Sequence, residues 1–136
     1  MNLDEILTSP TITVGEVPES GPDDPMPPAE FRMVREALGL TNEGLAELIG
    51  VQGRSVRRWE AGGTPIPDGV RQIMEDLEAA AAEQVKDLAA RVRDARVVLL
   101  TIPHPQQGAV LDRWWRMIAW RVANEVPGVT VQYRDD

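Results

Sequence analysis

From Pro28 onward the apolar residues recur at helical spacing, and before it they follow no sustained pattern. The opening stretch ends in PESGPDDPMPP, a proline-rich acidic segment that predicts a flexible arm over residues 1–27. A rival reading makes ILTSPTITV an ordered interaction segment. In AEFRMVREALGL, Phe31, Val34, Arg35 and Leu38 fall on one helical face, and Gly39 suits the left-handed residue that follows a helix. Thr41 offers a hydroxyl cap to the next helix, whose inward stripe is Leu45, Ala46, Leu48 and Ile49 and whose end is Gly50. Val51 plugs the turn. A third helix begins at Gln52 or Gly53, with Val56 and Trp59 inward at i and i+3 and Arg54, Arg57 and Arg58 pointing elsewhere.

GGTPIPDG then breaks helix continuation, and residues 70–96 run without Gly or Pro in strong helix formers. Val70, Ile73, Met74, Leu77, Ala81, Val85, Leu88 and Val92 give that helix a mostly seven-like spacing. Its first part is expected to pack on the preceding helices, and its alanine-rich later part reads either as a spacer or as a coiled-coil seam. VVLLTI, closed by Pro103, reads as a buried strand, and VTVQY alternates as a second. Between them AVLDRWWRMIAWRVANEV is an amphipathic helix holding three of the four tryptophans. The expectation is one βαβ unit, whose two strands are marginal alone and invite a partner's strands.

Charge changes the picture only when it is divided. The formal net charge is −8, yet residues 1–28 carry six acidic side chains and no Lys or Arg. Residues 29–80 hold six basic against nine acidic side chains, and residues 81–136 eight against seven. Since fields are screened beyond about 10 Å, a local cluster of three arginines can meet a polyanion despite the total. With no cysteine and one histidine, His104, thiol chemistry and the usual zinc sites lose their ligands, and no cofactor or metal is expected. His104 sits between two prolines and reads as a loop residue, against a minor pH or metal role. No nucleophile–base spacing is visible, so an enzyme is not expected. No apolar run approaches the roughly 18 residues of a membrane span, and a cytoplasmic protein with no membrane contact is the expectation.

LTNEGLAELIGVQGRSVRRWEAG resembles the helix-turn-helix core of Xre/Cro/C1-type DNA-binding domains. Leu45, Ala46, Gly50, Val51, Val56, Trp59, Glu60 and Gly62 stand at matching offsets, and the likeness spans residues 29 to 80. The run SVRRWEAGGTPIPDGV, a long helix and the distal segment Trp115 to Val122 also resemble small phage repressors of the anti-CRISPR-associated kind, whose C-terminal part dimerises. The resemblance implies a mainly α fold: a helix-turn-helix bundle of about five helices over 28–80, a connecting helix over 81–97, and a small α+β (strand-helix-strand) dimerisation element over 98–136. It also implies that positions matching Gln52, Gly53, Arg54 and Arg58 face bases, that Asn42 touches the phosphate backbone and that Arg57 joins at the rim. Thr41 and Ser55 complete the DNA-facing set. Gly53 departs from the longer polar residue common in the family, so a base contact is missing or a closer backbone approach replaces it. Arg35 and Glu60 fall where such domains place a salt bridge.

An arginine cluster is ordinarily a solvated face; here the surrounding motif puts it on the helix presented to the major groove. Core packing and a dimer interface compete for the tryptophans. The interface reading assigns Trp114, Trp115, Ile118 and Val122 to the contact between subunits. The function expected is a sequence-specific repressor that binds double-stranded DNA as a homodimer on an inverted-repeat operator, in a phage or mobile-element operon. The alternative is an antitoxin or anti-defence protein whose arm or C-terminal part binds a protein partner.

Overall fold

The computed structural model describes residues 2–8, 12–16, 25–96, 99–106 and 111–134. Among the described residues, six helices and two strands follow in order: α1 (Leu3–Thr8), α2 (Pro28–Ala37), α3 (Asn42–Ile49), α4 (Gly53–Ala61), α5 (Asp68–Ala95), β1 (Leu99–Ile102), α6 (Asp112–Glu125) and β2 (Thr130–Tyr133). The fold is mainly helical, a helix-turn-helix bundle with a small strand-helix-strand element after it.

Local chemistry sets the bundle's boundaries. Pro28 opens α2, where a missing N–H costs nothing. At the start of α3 the Thr41 hydroxyl accepts the Gly44 N–H at 2.9 Å. Gly50 ends α3 at φ +76°, and its N–H and that of Val51 both donate to the Ala46 carbonyl, which turns the chain sharply into α4. Phe31, Leu38, Leu45 and Val56 are fully buried between α2, α3 and α4, with Met74 of α5 closing the layer. Leu48, expected inward, is instead 44% exposed, since the stripe on an eight-residue helix is filled by Leu45, Ala46 and the half-buried Ile49.

The arm divides. Helix α1 occupies part of the segment expected to lack structure, with Leu3 and Leu7 exposed, while Met26 is buried in the bundle core. Residues 1, 9–11 and 17–24 of the arm, and with them part of ILTSPTITV, lie outside the described residues.

Helix α5 passes through residue 80 without a break, so the expected join between bundle and connecting helix falls inside one 28-residue element. Its later half is neither a bare spacer nor a seam left open: Ala81 and Ala89 are fully buried, and their small side chains let α6 lie close. Trp114 and Ile118 of α6 join the same core as Phe31 and Met74, and Val122 and Val126 form a second cluster with Ala89 and Val92. Burying such side chains contributes about 1.5–3 kcal/mol each, enough to make α6 part of the body.

Helix α6 also meets the far side of the bundle. Gly39, at φ +70°, sits so near the first turn of α6 that a Cβ there would lie 2.6 Å from the Arg113 carbonyl oxygen. Arg121 Nη2 donates to the Ala37 carbonyl at 2.7 Å, and Trp114 Nε1 donates to Gln84 Oε1 at 2.8 Å. The strands pair in parallel, Leu99 opposite Thr130 through Ile102 opposite Tyr133. Both strands alternate exposed with half-buried residues, so β1 is not the fully buried strand expected; the helices cover one face of a two-stranded sheet, and Val97 and Val98 lie outside the described residues.

Candidate nucleic-acid interface

Two inward residues seat α4. Val56 is fully buried and Trp59 nearly so, with the Trp59 ring meeting Phe31 edge-on at 6.0 Å between centroids. A polar clamp adds to this. Arg35 of α2 grips Glu60 of α4 through Nε on Oε1 and through Nη2 on Oε2 at 3.3 Å, while its Nη1 donates to the Leu40 carbonyl at 2.7 Å. The two side chains are only 10% and 9% exposed. Such a two-pronged pair in poor contact with water fixes the angle of α4 relative to α2 and to the turn before α3.

With those faces occupied, the opposite side of α4 is left to solvent. Arg54 and Arg58 are exposed, and their side chains make no ion pair or hydrogen bond among the described residues. Arg57 differs: its Nη1 donates to Glu43 Oε1 of α3 at 2.6 Å, so it is tied back rather than free at a rim. Gln52 caps α4 with backbone only, leaving its exposed side-chain amide without that duty. Gly53 is the first residue of α4, and Ser55, half-buried, follows one residue after Arg54.

The start of α3 comes to the same side, as the Glu43–Arg57 bond requires. Thr41 has committed its hydroxyl to the cap, whereas the Oδ1 of Asn42, at the first position of α3, is shielded from solvent and has no partner. The start of α3, its first turn capped in part by Thr41, thus lies beside Arg57 of α4, the helix that also carries the unpaired Arg54 and Arg58, an arrangement with donors and charge to receive a phosphate backbone. Glu43 is the member of this face that sequence reasoning missed. It lies 14 residues from Arg57, on a different helix, and no local spacing announces the pair.

Of the four positions expected between subunits, three lie inside the chain's own core and Trp115 does not. Trp114, Ile118 and Val122 are 5%, 3% and 0% exposed inside the chain's own core, because they share the α6 face that lies on α5. Trp115 is 44% exposed and Trp120 64%. Trp115 borders an open cleft of about 600 Å³ that Leu88, Leu100 and Ile102 line with it. His104 stacks on Tyr133 at 4.6 Å, at the end of the sheet. No helix among the described residues is long and apolar enough to cross a membrane.

Comparison with known proteins matches the same stretch. Residues 31–70 match the helix-turn-helix family. Over 99 residues the chain is 30% identical to the Aca2 repressor of Pectobacterium phage ZF40, a similarity covering 71% of this chain and 85% of that protein.

Proposed function

The chain belongs to the helix-turn-helix family that includes the Aca2 repressor and is a DNA-binding transcriptional regulator; from that premise we propose that it is a repressor, reading an inverted-repeat operator as a homodimer. The observation that carries this reading is the contrast on α4: one face locked by Val56, Trp59 and the Arg35–Glu60 clamp, the other presenting Arg54 and Arg58 unpaired. A helix held this firmly can enter the major groove with its guanidinium groups leading, and each arginine bidentate to a guanine contributes about 1–3 kcal/mol of discrimination. Gln52 and Ser55 flank those contacts, the backbone at Gly53 allows close approach, and Thr41 and Asn42 meet the sugar-phosphate backbone. Repression follows from occupying a promoter, in a phage or mobile-element operon.

The dimer draws on the C-terminal element. Trp115 and Trp120 remain uncovered on α6, and among the described residues a two-stranded sheet leaves an unpaired edge on each strand. We assign the subunit contact to this surface, with Trp115 and Trp120 in the place of the tryptophan and aliphatic residues that α5 covers. The same surface could serve a foreign protein, which is the antitoxin reading; no observation on α4 favours that reading. Selection of binding sites from random DNA with the purified chain tests the proposal directly, since the enriched sequences report symmetry and spacing together. At fixed salt, Arg54→Ala and Arg58→Ala should each weaken binding to the selected duplex about 5- to 150-fold. Unchanged binding by both variants would sink the assignment of α4 as the reading helix.

A further inference from the structure

The three arginines of α4 are not equivalent, and the difference lies in Glu43. Arg57 gives one donor, Nη1, to Glu43 Oε1 at 2.6 Å; its Nε and Nη2 make no bond among the described residues. The two side chains are 54% and 71% exposed, and an ion pair so well solvated contributes little to folding. Stability therefore does not explain a carboxylate on the side of the molecule where α3 and α4 both begin. Nor is the pair's position incidental to the glycine beside it: a Cβ on Gly53 would sit 3.2 Å from Arg57 Nη1 and 3.6 Å from Glu43 Oε1.

A carboxylate in this place acts differently on the two parts of a duplex. Binding to DNA of arbitrary sequence comes from cations meeting phosphates, while sequence is read at base edges whose acceptors carry no net charge. A phosphate approaching Arg57 meets Glu43 as well, and like charges brought together at a contact discriminate against the complex that needs them there. A guanine edge escapes this penalty and can take the donors on Nε and Nη2, with Nη1 still held.

We propose that Glu43 is a specificity-determining residue, which withholds Arg57 from backbone phosphates and so lowers affinity for non-operator DNA more than affinity for the operator. The proposal rests on α4 being the reading helix. Its test uses the full chain, a duplex selected from random DNA with the wild-type protein, and a scrambled duplex of the same length, each titrated over a range of salt. Glu43→Gln keeps an acceptor for Arg57 and removes the charge. It should tighten binding to the scrambled duplex roughly tenfold near 0.1 M salt and steepen the log–log salt slope by about 0.9, the increment for one more phosphate contact. The selected duplex should tighten by less, so the ratio of the two affinities narrows. In an Arg57→Ala background the same substitution should lose most of this gain. Wild-type affinity and slope on scrambled DNA, equal tightening on both duplexes, or a gain undiminished without Arg57 would each overturn the proposal. Parallel titration of Arg54→Ala and Arg58→Ala separates the outcomes: failure of those variants to weaken the selected duplex strikes at the reading helix, not at Glu43.

Discussion

At the scale of single residues, two ion pairs made by arginines of α2 show how burial decides what a charge is worth. Arg35 and Glu60 are each about one-tenth exposed, with every nitrogen of the guanidinium engaged, whereas Arg32 and Glu36, one helical turn apart, stand in solvent at 2.7 Å. Removing one partner of a buried pair strands the other, at a cost of about 3–5 kcal/mol. Glu60→Gln, which retains one acceptor, should fall near the lower end and reduce the melting temperature by roughly 10 °C for a chain of this size. Glu36→Gln should leave the melting curve where it is. The hydrogen bond from Arg32 holds the Glu36 carboxyl below the ordinary carboxylate range. The stabilisation this implies is present above that range and fades as pH falls through the lowered value, but solvent screening keeps it slight. A thermal melt of both variants at neutral pH separates the two cases, and equal melting temperatures would remove the clamp from the account of how α4 is aimed.

At the scale of elements, the contact between the end of α2 and the start of α6 sets how the two halves of the chain meet. Gly39 serves twice, adopting φ +70° and admitting the Arg113 carbonyl within 2.6 Å of where a Cβ would stand. Gly39→Ala should destabilise by about 1–2 kcal/mol through the left-handed backbone alone, and by more because backbone atoms must move apart. Hydrogen exchange should show the added loss of protection in α6, and loss confined to α2 and α3 would mean that the approach to Arg113 is not limiting. Sequence carried only the first of these roles. Helices α2 to α4 were legible because their signals are local: a cap at Thr41, a stop at Gly50, inward residues at i and i+3. The partner of the later half of α5 was not, since an alanine-rich face fits a spacer, a seam or a seat for another helix equally well until α6 is placed on it. The tryptophans stayed open between core and interface for the same reason. Trp114 and Trp115 are neighbours in sequence yet 5% and 44% exposed, and only the direction from which α5 approaches tells them apart.

At the scale of the whole molecule, acidity concentrated before Pro28 is compatible with a basic face on α4 because the two are separate features of the chain. On the dimer proposed above, Trp115 and Trp120 supply the uncovered aromatic area that association removes from water. Replacing both with serine should shift sedimentation equilibrium toward monomer, with a melting temperature changed much less than by Trp114→Ala, which opens a cavity in the core worth about 3–5 kcal/mol. A double serine variant that remains fully associated would move the contact to the strand edges. The core that runs unbroken from Phe31 through Met74 to Ile118 leaves α4 no soft joint against α6 among the described residues. In the dimer proposed above, two such bodies joined at their C-terminal elements would work as a caliper of fixed gap, tuned to one helical phase. One base pair added between the proposed half-sites turns the second of them by about 34°, and a dimer of that build should bind the lengthened site more weakly than the original.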